Sequence, residues 1–270
     1  MNDAHEKIDE DRRRLIGAAA GVATAVVAPG VFLHTVAAAQ SSAEPANEAQ
    51  RGPRTEPVTN EKRWGMLIDT SKCADGCSAC VTACNEENGL NEQTKPPGQD
   101  EEAWQEQRSA WIRKVKLQDK VTGRITSLPL LCQHCEHPPC VDVCPTGASF
   151  KRADGLVLVD RHTCIGCRYC MMACPYKARS FIHSEVEHKL ALIPRGKGCV
   201  ESCTLCVHRL DFGDHTTACA EACAKDGNGA IVFGDLKDPD SALSQALKAQ
   251  PNRQIREDLR LNTGVRYAGI

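Results

Sequence analysis

The cysteines of this chain are the residues whose number and spacing point most directly to chemistry. There are seventeen. All except Cys199 fall into four closely spaced quartets, and four cysteine thiolates are the typical ligands of one iron–sulfur cluster. The quartets therefore predict four [4Fe–4S] clusters and a protein that carries electrons. In chain order they are Cys73, Cys77, Cys80, Cys84; Cys132, Cys135, Cys140, Cys144; Cys164, Cys167, Cys170, Cys174; and Cys203, Cys206, Cys219, Cys223.

The third quartet is the most specific motif. It reads C-x2-C-x2-C-x3-C-P and ends at Cys174-Pro175. This run is typical of bacterial ferredoxins, where the fourth cysteine ligates the other cluster of a pair. Four runs therefore predict two pairs of clusters. The second quartet also ends in Cys-Pro, whereas no proline follows Cys84 or Cys223 and the first quartet opens with an x3 gap. An arrangement in which these two quartets are empty stays open.

Zinc and disulfide bonds are the alternatives to iron–sulfur chemistry. Zinc takes four-cysteine sites built from paired C-x2-C motifs, but it does not explain the quartets or the Cys-Pro steps. Cysteines two or three residues apart rarely meet the geometry of a disulfide, and an odd total fits a disulfide framework poorly. An exported binding module stabilised by zinc or disulfides is the competing function, and it would be colourless.

Composition limits the remaining function classes. The chain has 270 residues, of which 41% are hydrophobic but only 4% aromatic. A thin aromatic core is expected where clusters and thiolates fill the interior, and folding should then depend on the cofactor. With a net charge of −2 and no basic run beyond the N-terminus, nothing indicates nucleic-acid binding. We find no P-loop and no dinucleotide-binding glycine motif, so no catalytic residue is expected.

The N-terminal segment 1–39 is predicted to be a targeting signal. Arg12-Arg13-Arg14 stands just ahead of an apolar stretch from Gly17 to Ala39, and the small residues at the end of that stretch offer a cleavage site before Gln40. This pattern matches a twin-arginine export signal. That route carries folded cargo, as a protein loaded with clusters in the cytoplasm requires. An uncleaved membrane anchor is the alternative, since the stretch could just cross a bilayer.

The rest of the chain shows an internal repeat. Residues 40–62 lack apolar periodicity and are predicted to be a flexible linker. Residues 65–69 and 155–160 are short apolar strands that end at an Asp, and each precedes a cysteine loop by the same distance. Ala148-Ser-Phe150 after Cys144 is echoed by Ala178-Arg-Ser-Phe181 after Cys174, and a stretched version follows Cys223. Strand, cysteine loop, short helix and strand, repeated, is the ferredoxin-like α+β plan.

Four further elements are predicted. Residues 85–107 are polar and should form a surface excursion. Residues 111–117 and 125–131, separated by a turn, should form a β-hairpin that leads into Cys132. Asp240 or Ser241 should cap a helix that runs through Lys248. The C-terminal residues 260–270 look extended and are expected to lie on a partner.

Several motifs resemble one family of proteins, the periplasmic iron–sulfur subunits of membrane redox complexes. They are CTLCVHRL over 203–210, ACAEAC over 218–223 and GAIVFGDL over 229–236. The family includes the electron-transfer subunits of polysulfide, tetrathionate and dimethyl sulfoxide reductases, and the resemblance covers residues 63–270. Within it, RWGMLID over 63–69 and CADGC over 73–77 are most similar to the DsrO-like branch of the DsrMKJOP complexes of dissimilatory sulfur metabolism.

The resemblance implies that the first quartet pairs with the fourth, and the second with the third. An inner ferredoxin-like module, residues 132–185, would be inserted in an outer one made of residues 63–131 and 186–270. The four implied ligand sets are Cys73, Cys77, Cys80 with Cys223; Cys203, Cys206, Cys219 with Cys84; Cys132, Cys135, Cys140 with Cys174; and Cys164, Cys167, Cys170 with Cys144.

The resemblance also implies a function without a substrate site of its own. The subunit would pass electrons between a quinone-interacting integral membrane subunit and a multihaem cytochrome c on the periplasmic side of the inner membrane. The alternative within the family is the wire of a molybdopterin reductase of the polysulfide, tetrathionate or dimethyl sulfoxide type.

Four residues near the quartets could be mistaken for ligands. Cys199 precedes Cys203 by four residues, but the C-T-L-C match favours Cys203, and Cys199 is expected to be a free or partly buried thiol. His134, His137 and His208 could bind metal as in Rieske centres. Four cysteines are already available at each position, so a supporting or surface role is favoured for all three.

Overall fold

The computed structural model describes residues 57–93, 95–186 and 192–270, together with 26–28, 31–32 and 190. The predicted signal and most of the predicted linker therefore lie outside the described residues. Within the signal region, Val26–Ala28 (β1) and Val31–Phe32 (β2) pair antiparallel. No helix among the described residues has the length and apolar character needed to span a bilayer.

A three-stranded sheet lies at the centre of the folded region. Its middle strand is Trp64–Asp69 (β3), the predicted lead-in to the first quartet, and every residue of this strand is buried. Ile231–Asp235 (β10) pairs antiparallel with it, so that the strand after the last cysteine lies beside the strand before the first. This pairing joins the two ends of the predicted outer module.

The third strand corrects the prediction for the C-terminal tail. Val265–Ala268 (β11) is extended as expected, but it pairs parallel with β3 of its own chain. Val265 and Tyr267 are fully buried. The Tyr267 hydroxyl donates a hydrogen bond to the carbonyl oxygen of Pro129 at 3.1 Å and accepts one from Gln133 at 3.1 Å. The tail therefore completes the core.

Three two-stranded ladders surround this sheet. The predicted hairpin is present, and its turn is closed by the hydrogen bond from Asp119 N to Arg124 O. Two smaller ladders flank the second and third quartets, and one of them joins the predicted inner module to the outer one. The strands are Arg113–Gln118 (β4), Ile125–Leu130 (β5), Ser149–Lys151 (β6), Val157–Val159 (β7), Ser180–Phe181 (β8) and Val200–Glu201 (β9).

The helices are short, and most of them follow or contain cysteines. Most described residues of 95–107 in the predicted surface excursion are exposed, but this part contains a helix capped by Asp100, and Trp104 of that helix is buried. Ser241 rather than Asp240 caps the last helix, through its side-chain oxygen. The helices are Ala79–Glu87 (α1), Glu101–Gln107 (α2), Pro139–Asp142 (α3), Tyr169–Ala173 (α4), Val207–Asp211 (α5), Ala218–Asp226 (α6) and Ala242–Ala249 (α7), with 3-10 turns at Leu90–Glu92 and Glu257–Leu259.

Cysteines form a large part of the interior. The main core packs Met66 and Ile68 of β3 and Leu128 of β5 against cysteines from all four quartets. A smaller cluster contains Cys140 and Cys170. The structure is therefore a mixed helix and sheet fold in which cysteine loops, more than aromatic side chains, occupy the centre.

Gly65 provides a test of how closely the central sheet is packed. A methyl group added at Gly65 would lie 2.6 Å from the carbonyl oxygen of Gly264 and 2.6 Å from Leu236. We expect Gly65→Ala to force β3 from its neighbours and to cost about 1–3 kcal/mol, seen as a lower melting temperature of the cluster-loaded protein. Gly196→Ala is the matched control, because a methyl group there meets nothing within 4 Å. Equal melting temperatures for the two variants would contradict this packing.

Candidate metal centres

The packing of two helices brings the first and fourth quartets together. Cys80 and Cys84 are on α1, and Cys219 and Cys223 are on α6, which packs against α1. Residues four apart lie on the same face of a helix, and all four of these side chains are buried. Each helix therefore presents two thiols, one turn apart, to its partner.

Cys80 lies among the other cysteines of the first implied ligand set. Burial first, and then the nearby thiols of Cys223 and Cys73, raise the pKa of Cys80 to about 11. Cys77 makes a smaller contribution of the same sign. The structure thus brings three cysteines of the first quartet together with the last cysteine of the fourth.

Cys84 points to a second group of thiols. Burial raises the pKa of Cys84 well above its usual value, and Cys219 and Cys206 add to the effect. The pKa of Cys203 is raised in the same way, by burial first and then by Cys84 and Cys219. These four cysteines therefore form a second group, which adjoins the first because Cys80 also influences Cys84.

The second and third quartets interleave in the same manner. Burial raises the pKa of Cys135, and the neighbouring thiols of Cys132, Cys140 and Cys174 raise it further. The third group thus takes its fourth member, Cys174, from the end of α4. It matches the third implied ligand set.

Cys170 belongs to the remaining group. Burial raises its pKa, Arg179 opposes this, and Cys164 and Cys144 act in the direction of burial. Cys167 lies on the loop between Cys164 and Cys170 and is the only exposed cysteine of the seventeen. The fourth group is therefore the one nearest to solvent.

Donors directed at sulfur favour the ionised form that metal binding requires. Hydrogen bonds to the charged form of a group stabilise that form. Several cysteines in the quartets have such a partner, drawn from backbone N–H groups and from polar side chains. The pairs include Ser149 N to Cys144 Sγ at 3.3 Å, Leu205 N to Cys203 Sγ at 3.4 Å, Asn88 Nδ2 to Cys84 Sγ at 3.6 Å, Arg179 Nη2 to Cys140 Sγ at 3.2 Å, and Thr217 Oγ1 with Cys219 Sγ at 3.3 Å.

The chemistry of this donor set fits iron–sulfur clusters. Thiolate sulfur is the ligand of these clusters, and hydrogen bonds to sulfur are one means by which proteins tune them. No two of the seventeen cysteines form a disulfide bond. Within the described parts of the chain, no set of three or more Cys, His, Asp and Glu side chains is arranged to hold a single metal ion.

The residues that could be mistaken for ligands have other partners. Cys199 is half-buried, its thiol donates to the carbonyl oxygen of Arg161 at 3.3 Å, and its neighbouring thiol is Cys164 rather than a member of the second group. His134 is buried and accepts a hydrogen bond from Val157 N at 3.0 Å. Burial, followed by the charge of Arg179, lowers the pKa of His134 to about 3, so the ring is neutral.

The other two histidines lie at the surface or in an ion pair. His137 is exposed. His208 Nε2 lies 2.6 Å from Glu87 Oε1. Both positions agree with the supporting or surface roles favoured by the sequence.

Sequence reasoning missed the charged residues around the cysteines. Arg179 has a trace in the sequence, because it is the extra residue in Ala178-Arg-Ser-Phe181 compared with Ala148-Ser-Phe150. Glu87 and Arg209 stand three residues after Cys84 and Cys206, but nothing in the sequence shows that they meet.

Comparison with known proteins identifies relatives of the same kind. A family model described as a 4Fe-4S dicluster domain matches residues 124–236. The chain is 42% identical to the Hdr-like menaquinol oxidoreductase iron-sulfur subunit 1 of Archaeoglobus fulgidus, over 80% of this chain and 86% of that protein. It is 40% identical to a subunit of the tetrathionate reductase of Salmonella typhimurium, over 68% of this chain and 63% of the relative.

A third relative broadens the group. The chain is 37% identical to a putative dimethyl sulfoxide reductase iron-sulfur subunit of Halobacterium salinarum, over 72% of this chain and 74% of that protein. The three relatives are therefore subunits of oxidoreductase complexes whose names indicate different substrates.

A network of charges ties together the helices of the second cysteine group. Arg209 Nε and Nη2 donate to the two carboxylate oxygens of Glu87 at 2.6 Å, and Nη1 donates to Glu221 at 2.6 Å. The network thus connects α1, α5 and α6. The hydrogen bond with His208, and then those from Arg209, lower the pKa of Glu87 to about 2, although burial opposes them.

Replacing Glu87 by Gln should loosen this group. The lowered pKa means that the stability due to the carboxylate is present above its ordinary pKa of 4.5 and is lost only as pH falls towards 2. At pH 7 we expect Glu87→Gln to cost about 1–3 kcal/mol, measured as a lower melting temperature and faster loss of iron. Asp258→Asn, in an exposed pair with Arg256, is the control and should behave as wild type. A Glu87→Gln variant indistinguishable from that control would show that the network does not hold the helices.

Proposed function

The chain belongs to the family of iron–sulfur subunits of oxidoreductase complexes, and from this premise we propose that it holds four [4Fe–4S] clusters and passes electrons along them. It is an electron-transfer subunit without a catalytic site of its own. The clusters are arranged as an outer pair and an inner pair, within tandem ferredoxin-like modules.

The proposed ligands are the four thiol groups described above. One observation carries this proposal: Cys80 lies beside Cys223 and Cys84 beside Cys219, so that each helix of a packed pair contributes one thiol to each of two groups. The inner pair repeats this exchange through Cys174 and Cys144. The proposed sets are Cys73, Cys77, Cys80, Cys223; Cys203, Cys206, Cys219, Cys84; Cys132, Cys135, Cys140, Cys174; and Cys164, Cys167, Cys170, Cys144.

The polypeptide itself positions the clusters and shields them from water. When bound, each cluster supplies a site that accepts and releases one electron. The buried packing of Cys84, Cys203 and Cys219 excludes water from the second group, and a dry environment changes the reduction potential of a metal site. The exposed loop at Cys167 leaves the fourth group accessible from outside, which suits a terminal point of electron entry or exit.

We propose that the complex belongs to dissimilatory sulfur metabolism. Its neighbours would be a quinone-interacting integral membrane subunit and a periplasmic multihaem cytochrome c. Similarity to the menaquinol oxidoreductase subunit supports a quinol-linked complex. Similarity to the tetrathionate reductase subunit supports the alternative, in which the chain serves a molybdopterin reductase.

Elemental analysis of the complex that co-purifies with this chain from mildly solubilised membranes separates the two assignments. Iron above about sixteen atoms per chain, with haem and without molybdenum, is the expected result. Stoichiometric molybdenum would instead identify the chain as a subunit of a molybdopterin reductase. Zinc in place of iron would overturn both.

Cys167 allows one cluster to be altered without disturbing the buried ones. Because it is exposed, we expect Cys167→Ser to lose or convert one inner cluster while the chain still folds around the rest, measured as about one to four fewer iron atoms per chain and a changed electron paramagnetic resonance spectrum. Cys199→Ser is the matched control, since Cys199 belongs to none of the proposed sets. Unchanged iron and spectrum in Cys167→Ser, or equal losses in both variants, would count against the assignment.

We propose that the chain is exported folded by the twin-arginine route and works on the periplasmic face of the inner membrane. Replacing both Arg12 and Arg13 by Lys should leave the protein in the cytoplasm, because that route reads the arginine pair. Cell fractionation measures this, and the same exchange at Arg51 and Arg54 is the control. Undiminished export of the Arg12/Arg13 variant would exclude this route.

A further inference from the structure

Arg179 is a cation held inside the protein between two of the thiol groups. It stands between Ala178 and the first residue of β8, and only 5% of it is exposed. Its Nη2 atom donates to Cys140 Sγ at 3.2 Å and to Ser149 Oγ at 2.8 Å. One end of the guanidinium is therefore fixed against a proposed cluster ligand.

Within the described part of the chain, this guanidinium has no carboxylate as a counter-charge. Among the residues that the structure describes, no carboxylate forms an ion pair with Arg179, and its Nη1 atom is buried without a hydrogen-bond partner. A buried charge is costly unless it is paired. The sulfurs of the neighbouring cysteines, once they are ionised as cluster ligands, are the groups that can supply the opposite charge.

Those sulfurs belong to two different groups. Burial alone would lower the pKa of Arg179, but the charges of Cys140 and Cys132 in the third group, and of Cys170 in the fourth, raise it instead. The arginine side chain stays protonated at any pH that the protein meets. It thus places one permanent positive charge between the two groups.

We propose that Arg179 sets the reduction potentials of both inner clusters, a role that rests on the proposed four-cluster function. A cluster gains one negative charge when it takes up an electron, so a fixed positive charge beside it stabilises the reduced form and raises its potential. Hydrogen bonds to ligand sulfur act in the same direction. A single guanidinium near both clusters therefore raises the reduction potentials of both, so that the two potentials change in the same direction.

The sequence supports a specific role rather than a packing one. The segments after Cys144 and Cys174 echo each other, and Arg179 is the residue that the second segment has in addition. Arg179 donates a hydrogen bond to Ser149, which lies in the first segment directly after Ala148. In the second segment, Arg179 itself stands between Ala178 and Ser180. The extra residue thus breaks the symmetry between the two halves of the inner module, and its charge lies where the two segments meet.

Redox titration of the cluster-loaded protein, followed by electron paramagnetic resonance, tests this proposal. In Arg179→Gln we expect two of the four midpoint potentials to shift to more negative values while the other two stay in place. The shifted signals should be those of the inner pair, one of which is identified by its change in Cys167→Ser. In Arg179→Lys the positive charge is kept, so both inner potentials should stay closer to the wild-type values than in Arg179→Gln.

Lys177→Gln is the matched control, because it removes a positive charge two residues away that is exposed to solvent. Its four potentials should equal those of the wild type. Four unchanged potentials in Arg179→Gln with full iron content, or the same shift in Lys177→Gln, would overturn the proposal. If Arg179→Gln does not load iron, Arg179→Met, which removes the same charge, decides, and four wild-type potentials in that variant would assign the arginine a structural role only.

The number of clusters in the wild-type protein tests the proposed function, whereas the potentials of the Arg179 variants test the role of the arginine. Fewer than four clusters in the wild-type protein, counted by iron and by spin, would contradict the cluster assignment. Four clusters with potentials insensitive to Arg179 would contradict the role of the arginine alone.

Discussion

The burial of cysteine sulfur is the constraint on which the rest of this structure depends. Eleven of the seventeen cysteines are buried, and burial keeps thiols such as Cys84 and Cys203 protonated by raising their pKa. A metal cluster requires the deprotonated form, and its binding free energy contributes directly to folding in metal-organised domains. With 4% aromatic residues, the chain has few large side chains that could fill the same space, so cofactor and fold are expected to depend on each other.

The four-residue spacing of cysteines explains how neighbouring clusters can lie side by side. Two cysteines four apart on one helix face the same way but sit one turn apart, so Cys80 and Cys84 serve adjacent groups, and so do Cys219 and Cys223 on the facing helix. The surrounding charges then distinguish the groups. Glu87 and Arg209 tie together the helices of a deeply buried group. Arg179, by contrast, forms no ion pair with a carboxylate among the described residues and donates to Cys140 of an inner group.

Local signals in the sequence predicted β3, the hairpin of β4 and β5 and a helix capped by Asp240 or Ser241, because alternating apolar residues, turns and capping side chains act over a few neighbours. The pairing of β11 with β3 was not predictable in this way, since an extended tail does not specify which strand it will join. Trp104 was missed within a polar stretch for a similar reason: its burial depends on residues distant in the chain. The expected ligand groups were inferred from the resemblance to a family. The charged residues around them could be identified only from the folded structure.

The numbers of iron atoms and acid-labile sulfide ions per chain, measured on the purified native protein together with its zinc content, decide whether all four thiol groups hold clusters. Four clusters require about sixteen iron and about sixteen sulfide per chain, with no zinc. About half that amount of both would mean that only the inner pair is filled and that the outer thiol groups are not cluster sites. Zinc in place of iron would contradict the account as a whole.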